Sequence, residues 1–384
     1  MTLIKKNIDF TIKNRIWIFL IITGLFIKVL LLPVRTGDFI VFLEPWLEFI
    51  KTHGYFNSLK YGFYDYTPSY IYILVIIAKI GLNPLYSVKL VSIVFEYLAA
   101  FIIGKIAYKK FKSNQVIWIA LAVLPLLPSI ILNSSYLSQC DSIYAAFTLL
   151  GIYFILKEKQ FLSVLFLGVA FAFKMQTVII LPFFYVLMLR GKINWYYFLM
   201  IPLVFVISLI PAWAFGRSFS DLLHVYISQT DHYHFLTLNF PNFYIWISND
   251  YYEPVKIGGM IITVLITLLS GYFLKNKKYV FSFEIWIKFA FLTAIIVPFI
   301  LPGMHERYMY LGDVLGVLYF LVTRKNIHLS VGILLVSFYS YIRCSRFNDV
   351  LPMEPAFVLY LAIIILTSID FIKSLKNESN IIKE

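Results

Sequence analysis

Residues 68–80 read PSYIYILVIIAKI, an apolar run of about a dozen residues, where a bilayer crossing takes about 20. The run follows three motifs in close succession: Gly37-Asp38-Phe39, Glu44-Pro45-Trp46 and Tyr64-Asp65-Tyr66-Thr67-Pro68. If it crossed a bilayer, every later basic cluster would fall on the side opposite the N-terminal Lys5, Lys6, Lys13 and Arg15. If it lies at the interface, all the basic clusters share one side. The second arrangement is the one expected.

Composition sets the frame for that choice. Of 384 residues, 61% are hydrophobic and only 14% charged, against about 25% charged in an ordinary soluble domain. The mean hydropathy is +0.83, so the chain reads as an integral membrane protein. The net charge of +13 would suit a nucleic-acid binder, but the lysines and arginines stand in short groups between apolar stretches, a pattern that anchors helices at a headgroup surface. No nucleic-acid partner is expected. Cys140 and Cys344 have no metal-ligand spacing, which leaves a single bridge or two free thiols.

The fold class is all-α and polytopic. About twelve spans are expected, at 15–34, 84–107, 115–133, 141–156, 160–173, 177–189, 195–214, 255–274, 284–302, 308–323, 327–343 and 355–372. They form one transmembrane domain over 1–384, with a first external loop at 35–83 holding two interfacial helices, a second at 215–254, and a cytoplasmic tail at 373–384. Both termini are expected in the cytoplasm of a cell-membrane protein. Twelve of the twenty Asp and Glu residues and five of the six histidines then face outward. Nucleotide sugars and ATP are normally unavailable on that face, so a transfer reaction there needs a donor carried by membrane lipid.

Five constellations bear chemistry. Asp38 stands where the chain leaves the bilayer, either capping the following helix or looking back into a cavity. Tyr64, Asp65 and Trp46 suit a sugar face and its hydroxyls, or an aromatic belt. The polar run Asn133–Ser142 places Gln139 and Asp141 at the outer surface, with Asp141 as a cap or a site group, and Asn133 fits a glycosylation sequon. Phe173-Lys174-Met175-Gln176 breaks two apolar runs with a cation that either snorkels or meets a phosphate. Met304-His305-Glu306-Arg307-Tyr308 gathers an imidazole, a carboxylate and a guanidinium, and Arg307 either pairs locally with Glu306 or recognises phosphate. Asp231-His232-Tyr233-His234 lacks a third metal ligand, so no metal or other cofactor is expected. Lys89 and Glu96, seven residues apart, share a face of the second span.

In this order the motifs GDF, YDYTP, SQCDS, FKMQ and MHERY resemble the GT-C superfamily of polytopic glycosyltransferases over about residues 15–325. They are most similar to bacterial relatives of the GPI-anchor mannosyltransferase and of the Alg-type glucosyltransferases. Leu137-Ser138-Gln139-Cys140-Asp141-Ser142 departs from the usual Trp-Gly-Gln-x-Asp-Ser, and Thr67-Pro68 stands where paired prolines are common. The resemblance implies inverting transfer of a hexose from a polyprenyl-phosphate donor to a glycan or lipid-linked acceptor on the non-cytoplasmic face, with Asp38 as the base. Lys174, His305 and Arg307 are then expected at the departing phosphate, and Glu44, Trp46, Tyr64, Asp65, Gln139, Asp141, Gln176 and Glu306 at sugar or acceptor. Two alternatives stand beside it: a lipid-linked sugar flippase or transporter, and an envelope polysaccharide polymerase or ligase.

Overall fold

The computed structural model describes residues 2–230, 234–346 and 350–381. Helices dominate: α1 (Thr2–Leu31), α2 (Glu44–Thr52), α3 (Pro68–Ile80), α4 (Pro84–Phe111), α5 (Gln115–Val123), α6 (Pro128–Ile131), α7 (Asp141–Ile155), α8 (Gln160–Phe173), α9 (Leu181–Leu189) and α10 (Met200–Ala214). After them come α11 (Phe219–Leu223), α12 (Val225–Thr230), α13 (Tyr252–Leu274), α14 (Phe283–Ile300), α15 (Tyr310–Thr323), α16 (Ile327–Arg346) and α17 (Glu354–Ile381). Two short parallel strands, β1 (Thr237–Leu238) and β2 (Met304–His305), join distant loops.

Among the described residues, seven helices are long and apolar enough to cross a membrane, as an all-α membrane protein requires. An eighth follows if Gln115–Leu126 and Pro128–Tyr136, bent by 60° at their junction, form one span. Each of the twelve expected spans coincides with helix, but 141–156, 160–173, 177–189 and 308–323 correspond to shorter pieces. Their shortness has a local cause. The chain between Phe173 and Leu181 leaves α-helix, with Lys174 extended at φ −155°, and Asp141 and Tyr310 begin their helices only after polar turns. The run at 68–80 is likewise a single 13-residue helix, packed on α2 within the first loop. The expected tail at 373–384 is helical as far as Ile381, as the end of α17.

Helices α4, α7, α8, α14 and α15 form the centre, and α1, α10 and α13 turn most of their apolar surface outward. Small residues bring the central helices close, as packing between helices in lipid demands. A Cβ at Gly104 would lie 2.6 Å from the Ile117 Cα, and Ser163 Oγ donates to the Gly151 carbonyl at 2.7 Å.

Charges inside this apolar frame are compensated. Glu96 and Lys89 do not act together: Glu96 pairs with Lys28 of α1 at 2.6 Å, both almost completely buried. Lys89 instead donates to the Leu31, Leu32 and Val34 carbonyls at 2.8, 3.3 and 2.6 Å, taking up acceptors that the end of α1 leaves open. At the far end the basic turns gather. Lys110 pairs with Glu284 at 2.6 Å, Lys288 with Asp370 at 2.8 Å, and Arg190 donates to the Leu274 and Tyr279 carbonyls. Both cysteines are free.

Removing Glu96 alone strands a buried ammonium. Glu96→Ala is expected to cost about 3–5 kcal/mol, while the double variant Lys28→Met/Glu96→Leu recovers most of that loss, as thermal unfolding in detergent would report.

Candidate functional site

The end of α1 delivers Asp38. With the carbonyls of Leu31, Leu32 and Val34 fixed on Lys89, the chain turns through Thr36 and Gly37 into a π-turn at Phe39–Leu43. Asp38 stands at the start of that turn, but its side chain makes no capping bond. Instead its Oδ2 accepts from Gln139 Nε2 at 2.5 Å, and Arg307 Nη1 lies 4.0 Å away. Gln139 is held in turn, since its Oε1 accepts from the Tyr66 hydroxyl at 3.1 Å and its main-chain carbonyl from Ser92 Oγ at 2.8 Å. Three segments far apart in the chain thus converge on one carboxylate.

Lys174 does not snorkel. It is buried at the break after α8, where its Nζ meets Asp141 Oδ1 at 2.6 Å and lies over the Tyr66 ring at 5.4 Å. Burial opposes its charge, but Asp141, Tyr66 and Cys140 outweigh it and raise the lysine pKa. Asp141 is neither a helix cap nor a cavity group: it is fully buried behind Lys174, and Asn133 Nδ2 donates to its other oxygen at 2.8 Å and to the Tyr341 hydroxyl at 2.9 Å. The expected contact of Asp141 with sugar is replaced by a role in fixing Lys174. Asn133, wholly buried, is closed to glycosylation.

The third segment is braced by the second loop. Gly303, at φ +71°, donates its N–H to the Leu236 carbonyl at 2.7 Å, Asn242 donates to the Leu301 carbonyl at 3.0 Å, and β1 pairs with β2. This scaffold presents His305, Glu306 and Arg307. Arg307 Nη1 does meet Glu306 Oε1, at 3.3 Å, so the local pair exists, and both residues also line the cavity. Burial raises the Glu306 pKa against the pull of Arg307. Burial, with Arg307 and then Lys174, holds His305 well below the usual imidazole range. His305 is therefore neutral at pH 7, and its ring offers a hydrogen bond rather than a charge.

A cavity of about 610 Å³ joins these groups, within the range of ~300–1,000 Å³ common for small-molecule sites. It brings together Asp38, Trp46, Tyr64, Asp65, Gln139, Lys174, Gln176, His305, Glu306 and Arg307. Trp46 and Tyr66 meet edge to face at 5.6 Å on its wall. Glu44 is outside: it accepts from Arg35 at 2.5 Å on an exposed face, beside a second hollow of about 340 Å³. His234 is exposed beside Tyr252, while Asp231 and His232 lie outside the described residues. The cavity also takes in Arg217, Asp221, His224, Gln229 and Cys344, which motif reading passed over. Arg217 had the same signal as Arg307, an arginine at the end of a span opposite to the basic turns.

No family model matches the chain, and no curated protein is similar to it.

The state of His305 has a consequence for stability. In the unfolded chain its imidazole takes up a proton near pH 6.5, but in the folded protein only at lower pH, so its contribution is complete above about 6.5 and lost as pH falls. Melting temperature is expected to drop more steeply between pH 7 and 5 in the wild type than in His305→Gln.

Proposed function

We propose that the protein is an inverting hexosyltransferase that moves a sugar from a polyprenyl-phosphate donor to an acceptor hydroxyl in this cavity. The observation that carries the reading is the Asp38 carboxylate, bonded to Gln139 and facing Arg307 at 4.0 Å, in the same cavity as Lys174 and His305. A base beside a cationic wall suits a displacement in which one oxygen loses a proton and another gains negative charge.

In this reading the acceptor oxygen attacks the anomeric carbon as Asp38 takes its proton. The bond between that carbon and the phosphate oxygen breaks on the opposite face, the anomeric configuration inverts, and polyprenyl phosphate leaves. Phosphate is a good leaving group, so a strong general acid is unnecessary. Lys174 and Arg307 stabilise the charge that develops on it, and neutral His305 adds a hydrogen bond, in surroundings dry enough to strengthen each contact. Trp46 and Tyr66 offer ring faces to a pyranose, with Tyr64, Asp65 and Gln176 at its hydroxyls.

The topology that goes with this chemistry has twelve crossings, the shorter helices α7, α8, α9 and α15 spanning within a sheath of longer ones. The basic turns lie in the cytoplasm and the cavity opens on the other face. That orientation gives the enzyme a lipid-borne donor, and the abundance of Lys, Asn, Ile, Phe and Tyr, typical of a low-GC bacterium, favours undecaprenyl phosphate as carrier and an envelope glycan as product. The similarity of the motif order to GT-C enzymes leads to the same reaction.

Asp38→Asn keeps the shape and the Gln139 contact region but removes the base. Transfer is expected to fall by about 10²–10⁴-fold with the fold intact by gel filtration and melting. Near-normal transfer by folded Asp38→Asn would exclude Asp38 as base.

A further inference from the structure

Two of the cations facing the cavity are already compensated. Lys174 is paired with Asp141 at 2.6 Å, Arg307 lies between Glu306 at 3.3 Å and Asp38 at 4.0 Å, and His305 is neutral. Arg217 differs. Among the described residues no carboxylate lies within ion-pair reach of it. Its guanidinium is nevertheless fixed, 4.6 Å over the Tyr64 ring, with Nη1 donating to the Tyr61 carbonyl at 2.9 Å. A side chain at position 62 would come within 3.1 Å of Nη2, so Gly62 leaves room for the guanidinium to settle there. A planar fork of donors, held still at a cavity wall with no carboxylate within ion-pair reach among the described residues, is built for an oxyanion.

The position of Arg217 indicates where that oxyanion comes from. It follows the apolar span Trp195–Ala214 by three residues, beside Trp213 and Phe215, both exposed aromatics of the kind that sit at headgroup level. Lys174, in contrast, is deep in the protein.

We propose that Arg217 anchors the phosphate of a lipid carrier: a polyprenyl phosphate, its tail in the bilayer, reaches the cavity with its oxyanion on this guanidinium. The assignment rests on the transferase reading and adds a residue to it. Arg307 already faces Glu306 and Asp38, whereas among the described residues Arg217 has no carboxylate within ion-pair reach. Arg217 therefore holds the carrier as it arrives and departs, and Arg307 acts on the charge that develops at the reacting oxygen.

Binding separates this from the chemistry. Purified protein in nanodiscs would be titrated with undecaprenyl phosphate, and with undecaprenol as the uncharged control. The wild type is expected to prefer the phosphate, and Arg217→Gln to lose at least about tenfold of that preference, the cost of removing a charge-assisted pair. Arg217→Lys, which keeps the charge without the fork, and Gly62→Ala, which displaces the guanidinium without removing it, are expected to lose part, and these two carry the test should Arg217→Gln fail to fold. An unchanged preference in the folded variants overturns the proposal. So does loss of heat protection by glucuronate with undecaprenyl phosphate binding intact, which would assign Arg217 to an acidic acceptor. Because no turnover is needed, Arg217-dependent binding by a protein that transfers no hexose would remove the transferase reading and leave this site standing.

Discussion

The cost of keeping charge away from water governs this molecule. In an apolar frame each ionised side chain needs a partner, and the pairs Lys28–Glu96 and Lys174–Asp141, each at 2.6 Å, meet that need deep in the protein. Lys89 meets it with three carbonyls, and in doing so fixes the end of α1 from which Asp38 is delivered. Asp38 is compensated more lightly, by a neutral amide and a guanidinium at 4.0 Å. The difference between full and partial compensation sets Asp38 apart from these buried pairs.

The site sits where helices break. Asp38 precedes a π-turn, Gln139 follows another at Leu132–Tyr136, Lys174 is extended between α8 and a 3₁₀ turn, and His305 and Arg307 lie between α14 and α15. Irregular backbone in an apolar protein needs burial in protein or a cavity to line, and these breaks have both. The same breaks shorten α7, α8, α9 and α15. The long helices α1, α10 and α13 present much of the exposed apolar surface around the central helices.

Much of this was legible from residue order. Asp38, Gln139, Lys174, His305 and Arg307 all stand out as polar groups at the ends of apolar runs, and the structure brings them to one cavity. What could not be read was pairing across distance. The heptad spacing of Lys89 and Glu96 puts both on one face but names no partner, and Glu96 takes Lys28 from a neighbouring helix. Asp141 looks like a cap beside its own helix, but its partner Lys174 lies 33 residues on, brought close by the break after α8. Glu44 shares a loop with Asp38, but the phase of α2 turns it outward to Arg35. Arg217 carried the same sign against its surroundings as Arg307, without a motif around it to draw notice.

Sugar transfer at Asp38 is tested most directly by product stereochemistry. Purified protein would be incubated with a panel of undecaprenyl-phosphate hexoses of known anomeric configuration and a lipid-linked glycan acceptor, and the new linkage read by NMR. Consumption of one donor, with release of undecaprenyl phosphate and a product of opposite configuration, is the predicted result. A product that retains the donor's configuration would contradict single displacement with Asp38 as base.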